Sequence, residues 1–111
     1  LRELFESIAT AVEDWRDLLA ERAGALGSGA EGTIQIAAER SYLMPYPLAR
    51  APGKAHVEAL ADALAAFGGD ARSAIDEAAA FGDPVTSDVL TEIVRAADQA
   101  LWKLEAHSEL A

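Results

Sequence analysis

Apolar residues in the first segment fall at Leu1, Leu4, Phe5, Ile8, Val12, Trp15, Leu18, Leu19 and Leu26, with mostly polar residues between them. Steps of three and four put these side chains on one side of a 3.6-residue helix, so the pattern predicts a helix from Leu1 to about Ala25. At 1.5 Å per residue it would be roughly 38 Å long, a length typical of a bundle element. Glycines at 24, 27, 29 and 32 mark its end.

The helical period returns from Lys54 to about Phe81, through Val57, Leu60, Leu64, Phe67, Ala71, Ile75 and Ala78. Gly68 and Gly69 interrupt it at about 1 kcal/mol each, but the apolar register continues across them. One helix with a weak or bent middle is expected, and the two glycines read first as a place where a neighbouring helix comes close. At Gly82-Asp83-Pro84 a glycine ends one helix, an aspartate caps the next and a proline suits its first turn. The last helix is predicted from Pro84 to about Glu109, with Val89, Leu90, Ile93, Val94, Ala97, Leu101 and Leu104 on its apolar side.

Residues 27–53 are the least regular stretch, rich in glycine and with prolines at 45, 47 and 52. Thr33 to Arg40 fits a short helix inside a crossover connection better than a strand, because a lone strand would have nothing to pair with. The chain thus reads as a single all-α domain over residues 1–111. A closed four-helix bundle needs one more long helix. That helix is either borrowed from a partner or lies outside this sequence, the other option being a stable monomeric bundle of three.

Composition narrows the chemistry. Apolar residues make up 51% of the chain, yet 26 of the 111 residues are alanine, which favours closely packed helices over a thick core. No cysteine is present, so disulfides and thiolate sites are excluded. No apolar run approaches the roughly 18 residues that span a bilayer, and no basic-then-apolar leader is seen, so a cytoplasmic address with no membrane contact is expected. The formal charge is −10, from 19 acidic against 9 basic residues. Such a surface repels phosphate backbones unless basic groups gather locally, and here they are scattered, with Lys54 and Lys103 the two lysines. No glycine-rich phosphate loop or serine nucleophile arrangement can be built from the sequence.

The candidate chemistry is on the first helix, where Glu6, Glu13, Asp17 and Glu21 form a polar strip beside the apolar stripe. Asp17 and Glu21 lie one above the other and repel, a cost that a bound cation would reverse. Carboxylates projecting from facing helices are the usual way a bundle makes a di-iron site. Spacing alone is weak support, since Glu13 with Asp17, Glu58 with Asp62, Asp88 with Glu92 and Glu105 with Glu109 repeat it; a solvated helix face is its commoner origin. Glu6 precedes Asp17 by about 16 Å of helix, too far to share an ion within one subunit. Antiparallel pairing of two copies would bring Glu6 of one beside Asp17 and Glu21 of the other. His56 reads as an exposed residue at a helix start, His107 as a dipole-compatible residue in a last turn, and Trp15 and Trp102 as packing residues.

The opening helix, Leu1-Arg2-Glu3-Leu4-Phe5-Glu6 through Asp17-Leu18-Leu19-Ala20-Glu21-Arg22, resembles the second helix and metal-binding signature of Dps, the ferritin-like family of DNA-binding proteins from starved cells. Tyr46-Pro47-Leu48 resembles the family's crossover, and Asp83 through Thr86-Ser87-Asp88 with Leu101-Trp102-Lys103-Leu104-Glu105-Ala106-His107 its last helix. The likeness spans nearly the whole chain. It implies a ferritin-like four-helix bundle whose first helix, with its iron-binding histidine, is absent from this sequence. It further implies dimers that assemble into a dodecameric shell, with di-iron centres between subunits. Ferrous iron would be oxidised there, preferentially by hydrogen peroxide, and stored as ferric mineral. By motif, Glu6 takes the place of the family's aspartate on one subunit, and Asp17 and Glu21 are the carboxylates of the other. Arg2 stands where the family usually has a second histidine, and arginine does not ligate a metal. The resemblance thus implies iron storage and detoxification by a ferroxidase, with DNA binding weakened by the chain's charge. The alternative is a ferritin-like shell or interaction module whose metal site is degenerate.

Overall fold

In the computed structural model, residues 1–27, 37, 39–43 and 52–110 are described. Three long helices account for most of them: α1 (Arg2–Ala25), α2 (Gly53–Ala80) and α3 (Pro84–Leu110). Each begins and ends within two residues of the bounds that the apolar period predicts. Ala37, Glu39 and Arg40 are helical, while the rest of the predicted short helix and the Tyr46-Pro47-Leu48 crossover lie outside the described residues.

Local chemistry accounts for the helix ends. Gly27 takes a φ of 89° just beyond α1, and its N–H donates to the Gly24 carbonyl at 3.0 Å. At the end of α2, Gly82 has a φ of 74°; its N–H donates to Ala79 O at 3.0 Å and the Asp83 N–H donates to Ala78 O at 2.9 Å. These two bonds make a Schellman close, and a left-handed backbone there favours glycine. Asp83 then caps α3 by accepting from the Thr86 N–H at 3.1 Å, with Pro84 in the first helical position. One residue therefore closes α2 and opens α3.

α2 runs unbroken through Gly68 and Gly69. A Cβ on Gly68 would meet only Arg72 of the same helix, at 3.3 Å, and one on Gly69 would meet nothing within 4 Å. No other helix among the described residues comes within 4 Å of where either Cβ would sit, so within this chain close approach does not require the glycines, in contrast to the first expectation.

Tertiary contacts set the arrangement. The tight turn at 81–83 folds α2 and α3 into an antiparallel hairpin whose backbones lie close together. α1 packs on α3 but stands off from α2. Leu1 reaches Gly53, the Trp15 ring stacks on Phe67 at 5.9 Å with 4° between planes, and Arg22 reaches Asp83. Read in that order, these contacts make α1 parallel to α2 and antiparallel to α3. Two parallel helices need a long return between them, which is the place of residues 26–52.

α1, α3 and α2 thus occupy three corners of a square, with α3 between the other two. The core follows from this placement: Ile93 and Leu104 of α3 have no exposed surface, Ile8 and Trp15 pack from α1, and Val57 and Leu64 pack from α2. Between α1 and α2, away from α3, lies an apolar cleft of about 850 Å³ lined by Val12, Trp15, Leu19, Leu60, Leu64 and Phe67 among others. It marks the corner that no helix fills among the described residues. The fold is all-α, a ferritin-like bundle short of one helix.

Candidate metal centre on the first helix

The apolar stripe of α1 turns Ile8 and Trp15 into the core, which leaves the carboxylate strip outside it. Glu6, Asp17 and Glu21 are all exposed. They lie on one helix, Asp17 and Glu21 one turn apart and Glu6 three turns earlier, as the spacing requires. Glu6 Oε1 accepts from Arg2 Nε at 3.2 Å, and Asp17 Oδ1 accepts from Arg16 at 3.3 and 3.4 Å. The Glu21 side chain has no hydrogen bond or ion pair among the described residues. The cleft between α1 and α2 includes none of the three.

Among the described residues of a single chain, no group of three or more metal-binding side chains converges on one point. This agrees with the separation along α1. The three donors are carboxylate oxygens, the type that ferrous and other hard cations take. A shared ion would need a second copy of α1 to bring the early and late carboxylates together.

Several single-residue expectations meet the structure differently. Trp15 is packed as expected, but Trp102 is 68% exposed on the outer side of α3, so it is no part of this chain's core. Its place one step beyond the Leu101 and Leu104 stripe turns the indole outward. His56 is half-buried and has a partner, in contrast to the exposed residue expected at a helix start. His107 is the basic residue in the last turn of α3, as expected.

One network has no counterpart in the sequence pattern. Arg22, in the last turn of α1, donates from Nε to Thr86 Oγ1 at 2.9 Å and from Nη2 to Asp83 Oδ1 at 3.1 Å. Thr86 Oγ1 in turn donates to Asp83 Oδ2. The Thr86 hydroxyl and N–H, and then the Arg22 guanidinium, hold the Asp83 carboxyl below the usual carboxylate range. Asp83 is recognisable in sequence as a cap, but its second partner lies 61 residues away.

Three long helices around a shared core, with no strand among the described residues, make an all-α ferritin-like bundle short of one helix. No family model matches the chain. It is 34% identical over 107 residues to the DNA protection during starvation protein of Agrobacterium fabrum, a match covering 96% of this chain and 66% of that protein. It is also 28% identical over 107 residues to the fine tangled pili major subunit of Haemophilus ducreyi, covering 56% of that protein. The first likeness supports membership of the Dps, ferritin-like family. The chain spans just under two thirds of the first relative's length and little more than half of the second's. No helix among the described residues is long and apolar enough to cross a membrane.

Proposed function

We propose that the chain is a subunit of a Dps-like iron store, acting in the cytoplasm as a ferroxidase. The observation that carries this reading is the exposed carboxylate strip of α1, in a chain alike over 96% of its length to a starvation protection protein. Two copies of α1 pair in opposite directions, so that Glu6 of one copy and Asp17 and Glu21 of the other share ferrous iron. Two ferrous ions each give up one electron to hydrogen peroxide. With two protons taken up, the O–O bond breaks and two waters form. The carboxylates' part is to offset the rising positive charge on the metal and to hold both ions close to the oxidant. Six such dimers close a hollow shell that keeps the ferric product as mineral.

Arg2 takes no part as a ligand, because its guanidinium stays protonated. Its ion pair with Glu6 supports a second reading, a ferritin-like shell or interaction module with a degenerate centre. DNA binding by the folded chain is weak, since 19 acidic residues against 9 basic ones oppose contact with phosphates.

Peroxide-driven oxidation of ferrous iron separates the two readings. The parent protein is expected to oxidise iron at least ~10-fold faster than Glu21→Ala, the scale on which residues that support a metal site contribute. Equal rates would leave the strip without a catalytic role and favour the second reading.

A further inference from the structure

The Arg22–Asp83–Thr86 network ties the carboxylate-bearing end of α1 to the turn between α2 and α3. Its two charged side chains are 23% and 26% exposed, whereas those of Arg2 and Glu6 are 92% and 66% exposed and those of Arg16 and Asp17 are 67% and 64% exposed. Shielding from water strengthens an ion pair, and two donors of one planar guanidinium on two acceptors fix its direction as well as its distance. The acceptors are themselves bonded into the turn. Asp83 is held by the Schellman close of α2 and by its cap on α3, and Thr86 lies in the first turn of α3.

α1 needs such an anchor more than the other helices do. Its backbone stands off from α2 across the cleft, so side-chain packing such as the Trp15–Phe67 stack is what joins those two helices, and the directional polar tie of α1 runs to the turn before α3. Arg22 directly follows Glu21 and is five residues beyond Asp17. It points to the turn while Glu21 points to solvent, as a 100° step per residue requires.

We infer that Arg22, Asp83 and Thr86 are positioning residues that set the axial register of α1, and thereby of Asp17 and Glu21, for a metal ion shared with a second copy. The inference rests on the proposed reading of those carboxylates. A slide of one turn moves a side chain by about 5.4 Å, whereas metal–oxygen distances tolerate about 0.2 Å. In a centre shared by two α1 helices, each helix's axial position enters the geometry. Packing of Ile8 and Trp15 alone is less exacting, because apolar contacts have no fixed direction.

The test is zinc titration by calorimetry with cobalt(II) visible spectra, on the parent protein, Arg22→Met, Thr86→Val, Glu21→Ala and Arg72→Met. The last variant breaks another interhelical ion pair, Arg72 to Asp98 at 2.6 Å, which joins α2 to α3 and leaves α1 untouched. Arg22→Met and Thr86→Val are expected to bind zinc ~10-fold or more weakly and to change the cobalt band, at unchanged native mass and helix content. Arg72→Met should bind as the parent does. If Arg22→Met does not fold, Thr86→Val, which keeps the Arg22–Asp83 pair, decides. Unchanged zinc affinity and cobalt band in the network variants, with loss in Glu21→Ala, overturn the positioning role alone, as does an equal loss in Arg72→Met. Unchanged affinity in Glu21→Ala overturns the metal centre and the positioning role together.

Discussion

Glu6 and Glu21 show how differently two carboxylates on one helix can be placed. Glu6 is paired with Arg2 four residues earlier, and Glu21 has no partner among the described residues. An exposed pair of this spacing is worth about 0.3–0.5 kcal/mol, roughly a factor of two in any equilibrium that must break it. A metal taking Glu6 has to displace Arg2, so Arg2→Ala is expected to tighten zinc binding about two-fold, and Arg2→His by more because imidazole can ligate. Isothermal titration at fixed salt checks both, and weaker binding in Arg2→Ala would assign the guanidinium a supporting role. The i,i+4 spacing of Arg2 and Glu6 is legible in the sequence. The 61-residue separation of Arg22 from Asp83 is not, because charge pairing at long range depends on how the helices pack.

At the scale of elements, the turn at 81–83 carries more than its length suggests. Its Schellman close, its cap on α3 and its link to α1 all meet at Asp83. The Asp83 carboxyl is held below its ordinary value, so its contribution to stability is complete above that value, near pH 4. The contribution is lost as the pH falls through the ordinary value and then through the lowered folded one. Thermal melts of the parent and Asp83→Asn should therefore differ more at pH 7 than at about pH 3. A difference of equal size at both pH values would show that the carboxylate's charge is not what holds the turn. Helix bounds and caps were legible here because they depend on the 3.6-residue period and on single residues such as Gly82, Asp83 and Pro84. Continuity of α2 through Gly68 and Gly69 was legible for the same reason, while what surrounds those glycines was not.

For the molecule as a whole, α3 is the spine against which both other helices pack. Leu104 and Ile93 have no exposed surface, so truncating either leaves a cavity at the junction. Leu104→Ala is expected to cost about 2–5 kcal/mol in denaturant unfolding, and a loss below about 1 kcal/mol would contradict α3's central place. The sequence by itself determined the number, extent and ends of the three long helices and the outward carboxylate strip of α1, because each is set by the chain's local period and by neighbouring residues. Tertiary structure alone decided that α1 runs parallel to α2 with the cleft between them, that Arg22 meets Asp83, that Trp102 faces outward, and that no helix among the described residues fills one corner of the square. Those outcomes depend on which apolar faces meet across long separations in the chain, and a periodic pattern says that a face is buried without saying against what.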